Sequence, residues 1–136
     1  MNAYIESVEG VHTRRVDSHA LYSHAVTVET GRTVFVAGQV SRADSGEVVG
    51  HGDMAVQIAR VLDSLESVLE AAGAVLGDVV SLTAYTTDVD SFRKHGSALL
   101  TAFPPGRRPT STLVGIARLA DPAFLVEVSA IAVVQA

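Results

Sequence analysis

Asp53-Met54-Ala55-Val56-Gln57-Ile58-Ala59-Arg60-Val61-Leu62-Asp63-Ser64-Leu65-Glu66-Ser67-Val68-Leu69-Glu70-Ala71-Ala72-Gly73 is the stretch that decides the fold. Ala55, Ile58, Leu62, Leu65, Leu69 and Ala72 recur at steps of three and four, which puts them on one face of a helix. Val61 and Val68 widen the stripe, while Asp63, Glu66 and Glu70 stay on the wet side. Asp53 is placed to cap the N-terminus, and Gly73 to take the left-handed turn beyond the C-terminus. So broad an apolar face must lie against a sheet or another helix.

The chain on either side supplies that sheet. Val79–Thr86 is rich in Val, Thr and Tyr and reads as a strand. Thr33-Val34-Phe35-Val36-Ala37-Gly38-Gln39-Val40 reads as another, with a partner near Ala25–Glu29 across Thr30-Gly31-Arg32, which predicts a hairpin. Asp44-Ser45-Gly46-Glu47 forms the next turn. Asp90 starts a second helix running to about Ala102, with Phe92, His95, Leu99 and Phe103 on its inner stripe. Gly96 within it costs about 1 kcal/mol relative to Ala, which suggests a close backbone approach. Pro104-Pro105-Gly106 ends that helix. Thr110–Ile116 and Leu125–Val134 complete the set, separated by Leu119-Ala120-Asp121-Pro122. The order predicts an α+β fold, a mixed sheet with both helices on one face, built as a single domain over residues 1–136.

Composition limits the function classes. The 136 residues are 48% hydrophobic and 18% charged, which suits one ordinary core and excludes a disordered chain. No apolar run approaches the ~20 residues a bilayer requires. Met1-Asn2-Ala3-Tyr4-Ile5-Glu6 lacks the pattern of a secretory signal, so a cytoplasmic protein is expected. With no cysteine, thiolate metal sites, disulfides and thiol nucleophiles are excluded. The net charge of −5 disfavours nucleic acid as a partner. The densest basic sites are only the pairs Arg14-Arg15 and Arg107-Arg108, and there is little aromatic surface for stacking.

Few residues stand out chemically. Glu127 interrupts Phe124-Leu125-Val126-Glu127-Val128-Ser129-Ala130-Ile131, and alternation puts it on one face with Leu125, Ser129 and Ile131. A covered carboxyl there would have its pKa raised toward general acid–base work; the alternative is a structural ion pair with an arginine. Arg107 and Arg108, in a loop, can clamp a carboxylate or simply be solvated. Arg118 reads as structural, with Glu127 as one potential partner. His12, His19, His24, His51 and His95 show no ligand spacing, so no metal is expected. Tyr22-Ser23-His24 sits where a phenol and an imidazole can reach a cleft or satisfy local backbone. Lys94 reads as surface, Ser111-Thr112 has no neighbouring base, and no phosphate-binding loop is present.

These residues resemble the RidA/YjgF family. The resemblance runs from Tyr22-Ser23-His24-Ala25-Val26 through Val34-Phe35-Val36-Ala37-Gly38-Gln39-Val40, Gly46-Glu47-Val48-Val49 and Gly52-Asp53 with Gln57. It continues in Val68-Leu69-Glu70-Ala71-Ala72-Gly73-Ala74 and Asp78-Val79-Val80. It ends in Ala117-Arg118-Leu119 and the stretch from Leu125 to Val133. It implies a chorismate-mutase-like α+β fold, a homotrimer packed through its sheets, and clefts between subunits. It also implies cofactor-free hydrolysis of enamines and imines derived from amino acids. By resemblance Glu127 steers water or protons and Tyr22 stands in the cleft.

The departures shape the expectation. The family's Pro-Ala-Arg-Ser/Thr stretch, whose arginine clamps the substrate carboxylate, reads Pro109-Thr110-Ser111-Thr112, so Ser111 takes the arginine's place. The serine of Ser-Gly-Gln becomes Ala37, and an asparagine on the second helix becomes Gly96. The expected site has Glu127 and Tyr22 as catalytic residues. Ser111, Thr112, Ala37, Gly38, Gly96, Arg107 and Arg108 bind a small-molecule ligand bulkier or less charged than a simple amino-acid imine. A trimer that binds a metabolite, or acts as a chaperone, without hydrolysing anything is the alternative.

Overall fold

A computed structural model describes the backbone of residues 5–7 and 13–18, and residues 21–135 in full. Met1-Asn2-Ala3-Tyr4, His12 and His19 lie outside the described residues, as do the side chains of Arg14 and Arg15. The strands are β1 (Ile5–Ser7), β2 (Thr13–Ser18), β3 (Ser23–Val28), β4 (Arg32–Val40), β5 (Val79–Thr86), β6 (Thr110–Gly115) and β7 (Val126–Val134). The helices are α1 (Met54–Ala71), α2 (Val89–His95) and α3 (Ser97–Thr101), with one 3-10 turn at Leu76–Asp78. This is the mixed α+β architecture expected.

The larger sheet has the order β4-β7-β5-β6. β7 runs antiparallel to both neighbours, and β5 and β6 are parallel across the α2–α3 crossover. Helix α1 lies on one face of it. Val126, Val128, Ala130 and Ala132 of β7 and Val79, Leu82 and Ala84 of β5 are buried there against Met54, Ile58, Val61, Leu65 and Leu69. Both ends of α1 are closed as the sequence implies. Asp53 accepts from the Val56 amide at 3.1 Å. Gly73, at φ +77°, lets the Gly73 and Ala74 amides return to Glu70 and Leu69.

Four expectations need correction. The β3–β4 hairpin does not form: β3 pairs with β2 in a separate three-stranded sheet, and β4 pairs with β7. The non-local partner wins because it buries Val36 against the helix-covered face, which a two-stranded ribbon could not do. The second helix is capped by Asp88, whose carboxylate accepts from the Ser91 amide at 3.0 Å, and it is broken at Gly96 into α2 and α3. His95 turns outward, leaving Phe92, Leu99 and Phe103 as the inner stripe. On α1 the buried stripe starts at Met54, Gln57 and Ile58, while Ala55 is exposed.

Gln57 is fully buried and fully used. Its amide nitrogen donates to the Gly50 and Ala123 carbonyls at 3.0 and 2.8 Å, and its oxygen accepts from the Leu125 amide at 2.8 Å. One side chain on α1 thereby ties down the entry to β7, the strand carrying Glu127. Thr86, also buried, donates to the Leu125 carbonyl at 2.8 Å and holds the same junction from β5.

Candidate functional site

Directly paired residues in a sheet point the same way, so register decides which candidates meet. Ser111 pairs with Leu82, and Leu82 with Ala130, so Ser111 lies on the helix-covered side. Glu127 pairs with Tyr85, and Ser129 with Thr83, which in turn pairs with Thr112. Glu127, Ser129, Thr83 and Thr112 therefore share the opposite, uncovered face. Within one chain the sheet itself separates Glu127 from Ser111.

A cavity of about 280 Å³ opens on the helix side of β6. Tyr22, Gly96 and Ser111 all line it, so three candidates from separate parts of the sequence converge. Phe92, Leu99 and Leu113 give it largely apolar walls, and Arg93 is the cation on its lining. Tyr22 is held by its neighbour: buried Ser23 donates its hydroxyl to the Arg108 carbonyl at 2.7 Å and its amide to the Pro109 carbonyl at 2.9 Å. These bonds fasten β3 to the loop entering β6, two residues before Ser111. The Tyr22 and His24 rings meet edge to face at 5.3 Å.

Gly96 is explained by sterics. A β-carbon there would lie 2.8 Å from the Phe92 carbonyl oxygen and 2.6 Å from Cε1 of its ring. The close approach suggested by the sequence is thus the Phe92 ring folded against the α2–α3 break. Arg93 was not singled out from the sequence. Its position three residues before Gly96 puts it on the same side of the helix, and that spacing was the available signal.

The remaining candidates sit elsewhere. On the uncovered face the β4–β7 register shifts between Val36 and Gln39, and Ala37 and Gly38 occupy that irregularity. A β-carbon at position 38 would fall 2.5 Å from Glu127 Cδ and 2.6 Å from Oε2, so Gly38 makes the bed on which this carboxylate lies. Glu127 is half-buried, and among the described residues its carboxylate has no hydrogen-bond or ion-pair partner, Arg118 included. Arg118 is exposed, as is Lys94. Beside Glu127, Phe35, Ser81, Thr83, Ser129 and Ile131 line a hollow of about 140 Å³, with Phe35 78% exposed.

The two loop arginines line neither hollow. Arg107 reaches Asp78 at 3.8 Å and borders a separate depression of about 540 Å³ with Glu66, Glu70 and Pro104. Arg108 is buried and donates to the Leu100 carbonyl, tying its loop to α3. No group of three or more His, Asp or Glu side chains suited to a metal occurs among the described residues. No helix among them is long and apolar enough to cross a membrane.

The family model described as endoribonuclease L-PSP matches residues 12–134. The chain belongs to the RidA/YjgF family. It is 38% identical over 112 residues to a RutC family protein of Pyrococcus abyssi, covering 82% of this chain and 84% of that protein. The 2-iminobutanoate/2-iminopropanoate deaminase of Escherichia coli is 30% identical, with coverage of 78% and 83%. A Rid family protein of unknown function from Yersinia pestis superposes with TM-score 0.79 at 33% identity, covering 98% of this chain and 100% of that structure. Family membership and the mixed α+β fold expected of it are thus established together.

Proposed function

We propose that this RidA/YjgF member is a cofactor-free hydrolase of enamines or imines, working in a cleft between the protomers of a homotrimer. The observation carrying this reading is the separation of two half-sites across one sheet. The Tyr22–Gly96–Ser111 cavity and the Glu127–Gly38 bed lie on opposite faces, and in this reading a second copy brings its Glu127 to the first copy's cavity. The uncovered face, with Phe35 largely exposed, suits such packing. The resemblance to an imine deaminase supports the choice of chemistry.

In the proposed reaction Glu127 takes a proton from water as the water oxygen bonds to the imine carbon, and passes that proton to the nitrogen to give a carbinolamine. Glu127 then takes the carbinolamine hydroxyl proton and delivers it to the departing nitrogen as the carbon–nitrogen bond breaks, leaving a carbonyl compound and ammonia. Tyr22 orients the substrate through its hydroxyl. Ser111 offers a neutral hydrogen bond where the family's clamp arginine would offer a charge.

The test uses 2-aminoacrylate and larger imino acids generated in situ, with release of ammonia and 2-oxo acid followed against the uncatalysed rate. Light scattering on the same sample is expected to give the mass of three chains. Acceleration that disappears in Glu127→Ala supports the proposal. No acceleration, or an unchanged rate in that variant, overturns it and favours a binding role without turnover, for which the apolar cavity walls are also suited.

A further inference from the structure

We infer that Arg93 is the anion anchor of the Tyr22–Ser111 cavity, and that the site selects a carboxylate carried on a branched or aromatic apolar body. Arg93 lies in the last turn of α2 and is one of the residues lining the cavity. Among the described residues its guanidinium has no ion-pair or hydrogen-bond partner, in contrast to Arg32, Arg60, Arg107 and Arg108, each of which is bonded within the chain. A planar guanidinium at the mouth of a cavity can receive a carboxylate in two parallel hydrogen bonds.

The rest of the lining fixes what the carboxylate is attached to. Phe92, Leu99 and Leu113 present carbon surface, and Tyr22, Ser97 and Ser111 are the hydroxyl-bearing residues beside them. A small acid with no side chain would leave those walls unmatched, whereas a branched or aromatic chain covers them and removes that apolar surface from water. Gly96 keeps this space open, since any larger residue there would push the Phe92 ring from its place. The cation that position 111 lacks is thereby supplied from the helix opposite the strand.

This inference rests on reading the cavity as the substrate pocket, but a binding measurement tests it without turnover. The probes are 2-oxo-4-methylpentanoate, its neutral methyl ester, and pyruvate, titrated calorimetrically into the intact protein. The branched acid is expected to bind about tenfold more tightly than either the ester or pyruvate. Arg93→Met should weaken the acid about five- to tenfold, a range discounted for the exposure of this arginine, while the ester is unaffected and Arg93→Lys recovers part of the loss. Equal affinity of acid and ester, an unchanged acid affinity in Arg93→Met, or no binding to the wild type overturns the assignment. Arg93-dependent binding without imine hydrolysis leaves the anchor standing and removes the hydrolase reading. Hydrolysis whose KM is untouched by Arg93→Met removes the anchor alone.

Discussion

The two faces of β7 are made from alternate residues of one strand, yet they obey different rules. Val126, Val128, Ala130 and Ala132 are packed under α1 and hardly touch solvent. Glu127, Ser129 and Ile131 are half-buried on the other side, beside a phenylalanine that is 78% exposed. The covered face is closed within one chain and specifies the fold. The uncovered face keeps a carboxylate on a glycine bed and an apolar surface with no helix of the described residues over it. Stability and the proposed chemistry are thus distributed by the parity of the residue number.

Substitutions on the two faces should separate cleanly. The largest effect is expected from Glu127→Gln, which keeps the shape of the side chain but removes the base. Turnover of an imine substrate should fall by about 10²–10⁴-fold while the melting temperature hardly moves. Leu65→Ala, beneath the covered face, should do the reverse. It deletes a fully buried side chain of α1 and should lower unfolding free energy by about 3 kcal/mol in a denaturant titration, with activity per folded molecule retained. A Glu127→Gln protein that melts much earlier would show that the carboxylate is structural, and the contrast between the faces would dissolve.

A buried polar residue sharpens the same contrast. Gln57→Leu has the volume to fill its site but leaves the Ala123 carbonyl and the Leu125 amide unpaired, and takes one of two donors from the Gly50 carbonyl. A loss of about 2–3 kcal/mol is expected. Because these bonds hold the start of β7, the variant should also lose activity through Glu127, more in kcat than in KM. Leu65→Ala should lack that second effect.

How far the sequence carries depends on whether a signal is local. The α1 periodicity with Asp53 and Gly73 at its ends, the parity of Glu127, and the arrest at Pro104-Pro105 are all written within a few residues of where they act. The failures are non-local. The turn chemistry of Thr30-Gly31-Arg32 suits a hairpin, but the partner that buries Val36 lies some ninety residues on, at the end of the chain. Gln57 looks like any polar residue on a helix until Gly50, Ala123 and Leu125 close around it. Arg107 and Arg108 carry the expected charge, yet Asp78, well back in the chain, and the Leu100 carbonyl, eight residues before Arg108, are where the structure directs them. Arg93 escaped notice because its value comes from Tyr22 and Ser111, which approach it from two other elements.

The smallest effects come from two glycines, one on each side of the sheet, and they test the contrast most finely. Gly96→Ala sets a methyl group against the Phe92 carbonyl oxygen, which is backbone and cannot swing away. It should cost about 1–2 kcal/mol and narrow the cavity, raising KM for a bulky substrate more than for a small one. Gly38→Ala meets Cγ, Cδ and Oε2 of the Glu127 side chain rather than backbone at its nearest contacts. That chain can rotate aside, so stability should change by less than about 0.5 kcal/mol. Its carboxylate would then leave the position in which Gly38 holds it, and turnover should fall by about tenfold. Thermal melts and steady-state kinetics on the pair decide the matter. If Gly38→Ala proves as active as the wild type, then the placement of Glu127 over Gly38 is incidental, and the uncovered face loses its claim to the chemistry.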